Sequence, residues 1–444
     1  MTRTNEDEPA QVPLAQQAGE IPERWRWVER SAWTVRMLTT LEQGLEGGKW
    51  FRLIDKVYSK KNLLAAFGRV ASKDGASGVD HMTVKRFEER LPERIAAIEA
   101  QIRQGSYEPQ SIRRVHIPKP GTTETRPLGI PTVRDRVVQG AILNVIEPIF
   151  ERDFAERSYG FRPGRGCKDA LRRVDELLKA GYTHVVDADL KGYFDTIPHG
   201  RLMNRLKEKI ADGPLLALIE KFLKASVMDG LDEWTPTQGA PQGAVLSPLL
   251  SNIYLDPLDH LMASRGFEMV RYADDFVILC RSAEEAAVAL DLIREWVREN
   301  DLTLHPTKTK LIDAKKEGFD FLGYHFHPEG HKRPREKSLQ KFKDTIRAKT
   351  RRSNGHSIEM IIADVNRTLR GWYGYFKHSV RWIFRWLDGW IRRRLRSILR
   401  KYAGLSGISR GGDDHHRWPN AYFERIGLFS LLKAHILECQ SSSR

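Results

Sequence analysis

Residues 270 to 280 set two adjacent carboxylates, Asp274 and Asp275, between the aromatic Tyr272 and the apolar run Phe276-Val277-Ile278-Leu279. An apolar stretch interrupted by one short polar step reads as strand, tight turn, strand, and such a hairpin carries both acids on a rigid, buried base. A second acidic strand, Val185-Val186-Asp187-Ala188-Asp189-Leu190, leads into Lys191-Gly192-Tyr193-Phe194-Asp195. Period-two alternation puts Asp187 and Asp189 on one face, with Asp189 nearest the turn. Phosphoryl transfer by a two-metal mechanism needs acidic oxygens holding two divalent ions about 3.5–4 Å apart. An isolated Asp-Asp pair is more often a turn or a helix cap. The functional reading therefore depends on the two acidic elements converging.

Around these elements the chain alternates short strands with helices. Residues 113–118 and 184–189 have strand character, and residues 63–70, 84–102, 168–179, 201–210 and 283–299 have helical spacing. This is an α+β pattern. Residues 1–22, with Pro9, Pro13 and Pro22 among polar residues, read as a flexible tail, and Trp25, Trp27 and Trp33 open an ordered segment. Residues 74–80 form a turn-rich connector. From Ser338 onward the periodicity is almost wholly helical, and Pro328, Gly330 and Pro334 punctuate the change. The expected division is a tail over 1–22, a mixed α/β body over 23–330 and a helical region over 331–444.

Charge is distributed unevenly between these parts. The whole chain carries a formal +15, whereas Lys332 to Lys401 alone holds 21 Lys and Arg against 5 Asp and Glu, a net +16. A polyanionic partner for the helical region follows. Cys167, Cys280 and Cys439 lie far apart with no CxxC pair, which excludes a disulfide framework and a cysteine-rich zinc site. The paired His415-His416 lacks accompanying ligands and reads as a polar loop. No apolar run reaches the roughly 18 residues of a membrane span, and the polar start lacks a secretory core, so a cytoplasmic protein with no membrane partner is expected.

Tyr272-Ala273-Asp274-Asp275 resembles the Tyr-X-Asp-Asp hairpin of the reverse transcriptases. Asp189 resembles that family's first palm aspartate, with the aromatic Phe194 five positions later. The segment Gln238-Gly239-Ala240-Pro241-Gln242-Gly243-Ala244-Val245-Leu246-Ser247-Pro248 resembles the loop beneath the incoming nucleotide and template base. Ile117-Pro118-Lys119-Pro120 and Arg126-Pro127-Leu128-Gly129-Ile130-Pro131 resemble the finger elements that contact the triphosphate. Residues 302–310 and Phe321-Leu322-Gly323-Tyr324 resemble later polymerase motifs, the second near the primer grip.

The resemblance implies a right-hand polymerase fold, with fingers and a palm built on an antiparallel sheet, followed by a mainly helical thumb. It implies Asp189, Asp274 and Asp275 as catalytic metal ligands, joined by the Leu190 backbone carbonyl, for two Mg2+ ions that Mn2+ can replace. Lys119, Arg126, Phe194, Gln242, Gly243 and Lys308 would bind the nucleotide. Among them, Lys119 and Arg126 supply a point charge and a bidentate fork for phosphate. Phe194 would be the steric gate against a ribonucleotide 2′-hydroxyl. Substrates would be dNTPs and an RNA or DNA template with a DNA primer.

Residues 74–80, Arg134-Asp135-Arg136-Val137-Val138-Gln139 and Tyr159-Gly160-Phe161-Arg162-Pro163-Gly164-Arg165 point to the group II intron branch, and the match runs from about residue 55 to 325. Leu369-Arg370-Gly371-Trp372-Tyr373-Gly374-Tyr375-Phe376 resembles the maturase domain, which implies group II intron RNA as partner. Arg370, Lys377, Arg392, Arg393 and Arg394 are the expected RNA contacts. The rings of Trp372, Tyr373 and Tyr375 are expected to pack rather than bind RNA. No CxxC-bearing His-Asn-His endonuclease precedes Arg444, so the chain resembles the compact bacterial class without second-strand cleavage. That class works in the cytoplasm, at the nucleoid when bound to DNA. An RNA-binding splicing factor derived from a dead polymerase would be expected to lose the carboxylates, which are present here. A reverse transcriptase in antiviral defence would keep the same palm without an intron. Oligomeric state is not readable from the sequence.

Overall fold

A computed structural model describes residues 23–44, 48–118, 125–353, 355–406 and 412–442. Eleven strands form three sheets among these residues. In chain order they are β1 (Ile112–Pro118), β2 (Thr125–Ile130), β3 (His184–Asp189), β4 (Val227–Asp229), β5 (Asp232–Trp234), β6 (Glu268–Tyr272), β7 (Asp275–Cys280), β8 (Lys310–Asp313), β9 (Phe319–Phe321), β10 (Tyr324–Phe326) and β11 (Lys332–Pro334). The central sheet has the order β6-β7-β3-β8 and every pairing in it is antiparallel. A second sheet runs β2-β1-β4-β5, and a small third runs β11-β10-β9.

The central sheet exists because its strands are apolar along one continuous stretch. Val185, Val186, Val270, Phe276, Val277, Ile278 and Leu279 are all buried. Strands buried on both faces need cover on both. Helix Ala283–Glu299 packs on β3 and β7, and helices Cys167–Lys179 and Ser247–Ser264 pack on β6. Helix Val133–Glu151 is buried almost all round and runs along helix Lys60–Lys73, the main internal packing of the N-terminal half. A helix without a polar face must sit inside the body.

A separate apolar cluster joins helices Glu336–Lys349, Ile358–Phe376 and Arg381–Tyr402, with Leu369, Phe384, Leu387 and Leu395 at its centre. The third cluster brings Tyr324 and Phe321 together with Phe376 beneath the central sheet. There the Tyr324 hydroxyl donates to the Tyr375 carbonyl at 2.6 Å and the Tyr375 hydroxyl to the Leu322 carbonyl at 2.6 Å. Tyr373 is buried and Trp372 stacks near Phe342 and Phe376, so these aromatic rings are packing elements.

Two local expectations change. The helix expected over 84–102 is two, Val84–Glu88 and Leu91–Arg103, because Arg90 leaves helical geometry (φ −125°, ψ 38°) just ahead of Pro92. Pro328 and Gly330 fall in the turn joining β10 to β11, just ahead of helix Glu336–Lys349. His415 and His416 lie in the short helix Gly412–Arg417, held by Arg400 donating to buried Asp414 at 2.8 Å. The expected tail over 1–22 lies outside the described residues. No helix among the described residues is long and apolar enough to cross a membrane.

Candidate active site

Strand register assembles the acidic cluster. In the β3–β7 ladder Asp189 stands opposite Asp275 and Asp187 opposite Val277. Tyr272 pairs with Asp275 across the β6–β7 hairpin, leaving Ala273 and Asp274 as its two-residue turn. Ala273 has φ 60°, the first-position sign that a type II′ hairpin turn requires and that a non-glycine residue adopts only under constraint.

That constraint is a buried polar network. Arg271 is fully buried and donates through Nε to both oxygens of Asp259 at 2.8 and 3.0 Å. Its Nη1 donates to Asn252 Oδ1 at 2.9 Å and to the Ala273 carbonyl at 2.8 Å. Asn252 in turn donates to the Gly160 carbonyl at 2.8 Å, and Tyr159 N–H donates to the Arg271 carbonyl at 2.9 Å. The segment 158–160 is thereby laid against the Ala273-Asp274 turn. A Cβ on Gly160 would stand 2.2 Å from the Ala273 nitrogen, so only glycine fits. Next to it Phe161 sits exposed at φ 58° with its ring 6.3 Å from that of Tyr272. Arg162 anchors this segment from the other side, bonding Glu151 and the carbonyls of Ala155 and Ser158.

Crowding sets the electrostatics of the cleft. Asp275 reaches the surface, yet the protein packed around it partly desolvates its carboxylate. That desolvation, followed by repulsion from Asp187 and Asp274, pushes its carboxyl up to about 7. Burial and then the charge of Asp189 push Asp187 up to about 6. Asp274 is also raised, chiefly by burial, while Arg126 and Arg271 draw it down. Lys308 Nζ donates to Asp189 Oδ2 at 2.8 Å, so one cation already sits on the cluster. Mutually repelling carboxylates with raised proton affinity are a donor set suited to divalent cations, which relieve the repulsion that protons otherwise relieve.

Beside the acids lies a cavity of about 470 Å3, within the range of small-molecule sites, walled by Phe194, Gly239, Gln242, Gly129, Arg114 and Trp234 among others. Asp187, Asp189, Asp274 and Asp275 are not in its wall, although Asp195 is. Its floor is the loop 238–243, bound to Phe194 and its neighbours by Ala240 N–H to the Phe194 carbonyl and Gly239 N–H to the Ile197 carbonyl, both at 2.7 Å. Gly243 at φ 106° would put a Cβ 2.6 Å from the Gly129 carbonyl oxygen, and Gly129 N–H donates to the Gln242 carbonyl at 2.7 Å. The loop is thus stitched to β2, the strand that carries Arg126. Leu190 bridges to Leu304, through Lys191 N–H to the Thr303 carbonyl (2.8 Å) and His305 N–H to the Asp189 carbonyl (2.7 Å). Neither bond uses the Leu190 carbonyl. Lys119 lies outside the described residues.

The expected RNA contacts divide. Arg393 and Arg370 are exposed, with Arg370 over the Phe429 ring. Arg394 instead donates to Thr350 Oγ1 and the Thr350 carbonyl, Lys377 pairs with Glu438, and Arg392 lies 4.0 Å from buried Asp388. In the structure those three are engaged within the protein: Arg394 reaches across to the end of helix Glu336–Lys349, Lys377 at the end of helix Ile358–Phe376 reaches helix Leu431–Ser442, and Arg392 lies beside Asp388 one turn earlier on helix Arg381–Tyr402. Its outward stripe is Trp382, Arg385, Trp386 and Arg393. Reading the sequence overlooked Arg271, Asp259 and Asn252. An arginine inside an apolar strand was the available signal, whereas its partners, 12 and 19 residues earlier, carried none.

Comparison with known proteins agrees with this geometry. Residues 117–326 match the family described as reverse transcriptase (RNA-dependent DNA polymerase), and residues 339–404 match the group II intron, maturase-specific domain. The chain is 34% identical over 312 residues to Protein YkfC of Escherichia coli (strain K12), covering 61% of this chain and 81% of the relative. It is 40% identical over 196 residues to the group II intron-encoded protein LtrA of Lactococcus lactis subsp. cremoris, covering 44% of this chain and 32% of that protein. It is also 25% identical over 430 residues to the putative COX1/OXI3 intron 2 protein of Saccharomyces cerevisiae, covering 82% and 49%. The chain spans half or less of those two intron proteins.

Two outcomes follow from the network and the cleft. Arg271→Met strands the Asp259 carboxylate in the interior and should lower unfolding free energy by about 3–5 kcal/mol, whereas Arg271→Met with Asp259→Leu should regain much of that loss. Urea denaturation of both variants checks it. A raised folded value at Asp275 means that the folded chain keeps a proton the unfolded chain has released above its ordinary 3.8. Stability from this group is therefore lost as pH rises from about 4 to about 7. In metal-free protein, Asp275→Asn should raise the melting temperature at pH 8, with the gain shrinking steadily towards pH 4. A gain independent of pH would refute the assignment.

Proposed function

The chain belongs to the reverse transcriptases that carry a group II intron maturase domain, and from that premise we propose that it copies its intron's RNA into DNA and assists the splicing of that RNA. Reverse transcriptases are RNA-directed DNA polymerases that use divalent metal ions. The observation that best supports the reading is the register setting Asp189 opposite Asp275, with Asp274 in the adjoining turn.

In this proposal Asp189, Asp274, Asp275 and the Leu190 carbonyl hold two Mg2+ ions, for which Mn2+ can substitute. When bound, those ions activate the primer 3′-hydroxyl and stabilise the leaving phosphate. The chain's own residues do the positioning. Arg126 forks onto the triphosphate, joined by Lys119 seven positions earlier, and Lys308 serves the leaving pyrophosphate from its bond to Asp189. Phe194 closes the sugar side of the cavity against a 2′-hydroxyl. Gln242 and Gly243 lie under the base, where a backbone free of side chain allows close approach. Intron RNA engages the helical region through Arg370 and the Trp382, Arg385, Trp386 and Arg393 stripe, whose arginines meet phosphates and whose rings stack. The protein then works in the bacterial cytoplasm, at the nucleoid while joined to DNA.

Paired variants separate the two activities. Asp274→Asn should cut primer extension on an RNA template by more than about 100-fold, as losing roughly 3 kcal/mol or more of transition-state stabilisation requires, with RNA affinity little changed. Near-normal extension by this variant would defeat the polymerase assignment. Arg385→Ala with Arg393→Ala should reduce the salt slope of intron RNA binding by about 1.5 units, while extension of a short primer-template at low salt persists. An unchanged slope would move the RNA site elsewhere.

A further inference from the structure

The turn between β10 and β11 carries three donor side chains that polymerisation does not use. His327 and His331 close it from either side: His327 N–H donates to the His331 carbonyl at 2.8 Å, and Gly330 N–H donates to the His327 carbonyl at 2.9 Å. Gly330 takes φ 80°, the left-handed geometry of so tight a turn. The two imidazoles share one face of the hairpin, stacked with centroids 4.3 Å apart and planes 14° from parallel. Glu329, at the apex, turns its carboxylate back towards them. Its Oε2 lies 3.6 Å from His331 Nδ1 and 3.9 Å from His327 Nδ1. Glu329 N–H also donates to His327 Nδ1 at 3.3 Å, a long bond that ring rotation would give up when that nitrogen turns to an ion.

We propose that His327, Glu329 and His331 bind one late first-row divalent ion of the zinc type, at a site separate from the acidic cleft. The three donor atoms lie within 4.8 Å of one another. Ligands about 2.0–2.1 Å from a tetrahedral ion stand roughly 3.4 Å apart, so side-chain rotation, which also unstacks the rings, brings them into place while the backbone stays put. A fourth position remains for water. His325, the next nearest imidazole, is engaged by Asp320 at 2.8 Å and is not required.

The donor set selects the ion. Two imidazole nitrogens with one carboxylate suit Zn2+, Co2+, Ni2+ or Cu2+, whereas the all-oxygen cleft suits a hard cation such as Mg2+. All three side chains reach solvent, with Glu329 at 76% exposure, so the ion can enter without unfolding. Its place in the fold gives it an effect. The next residue, Lys332, pairs with Asp175 on helix Cys167–Lys179, and its carbonyl accepts from Val380 N–H at 3.0 Å. A pinned turn therefore steadies the strand that ties the central body to the basic helices.

The test titrates ZnCl2 into full-length, chelator-stripped protein in excess Mg2+, comparing it with His327→Ala/His331→Ala. One equivalent should bind at micromolar or tighter affinity and raise the melting temperature by a few degrees in the parent chain, and both effects should vanish in the double variant. Equal zinc uptake by the two proteins, or none by the parent, overturns the proposal. Glu329→Gln covers the case in which the double variant fails to fold, because so exposed a side chain is not needed for folding. It should weaken zinc binding about tenfold or more, and unchanged affinity would equally overturn the site.

Discussion

Everything at the acidic cleft hangs on one buried guanidinium. Arg271 lies one residue before the hairpin motif, and its planar fork reaches Asp259, Asn252 and the carbonyl of Ala273 together. A lysine has one point charge and could not span those directions. The interaction holds a non-glycine residue at positive φ in the turn that presents Asp274. Through Asn252 it also fixes segment 158–160 against that turn. Strain here is supported by its surroundings, as expected where geometry must be kept within fractions of an ångström.

On that rigid base the chain tolerates an arrangement that is unfavourable in isolation. Four carboxylates, Asp187, Asp189, Asp274 and Asp275, share one cleft, and two of them are pushed to about 6 and about 7. Such crowding costs stability that the apolar sheet behind it must offset. It also gives the cleft affinity for cations, and the Lys308 bond to Asp189 is a local expression of that demand. The neighbouring cavity is walled mainly by uncharged residues, among them glycines, prolines, Gln242 and Phe194, with Arg114 and Asp195 as its charged members.

The basic helices show a division of labour among their charges. Their net charge is not all available to a partner, because Arg394, Lys377 and Arg400 are used as internal braces against Thr350, Glu438 and Asp414. Outward on helix Arg381–Tyr402 are Trp382, Arg385, Trp386 and Arg393, together with Arg381 and Lys401 at its ends. Long cations pack their stems on apolar surface and donate their heads either inward or outward.

The sequence by itself determined the hairpin, the acidic strand, the alternation of strands and helices, and the charge imbalance, because each is a local periodicity or a local composition. It also carried the glycines of loop 238–243, since a turn signal is written in the residues that make the turn. Tertiary structure alone decided which arginines face inward, since on one helix Arg393 and Arg394 are neighbours in sequence yet one is exposed and the other bonded to Thr350. It alone brought Asp259, Asn252 and Gly160 to Arg271. It also shaped the stretch around Pro328 and Gly330 into a hairpin bearing His327 and His331. Pairings across tens or hundreds of residues depend on how surfaces meet once packed, and no local pattern records them.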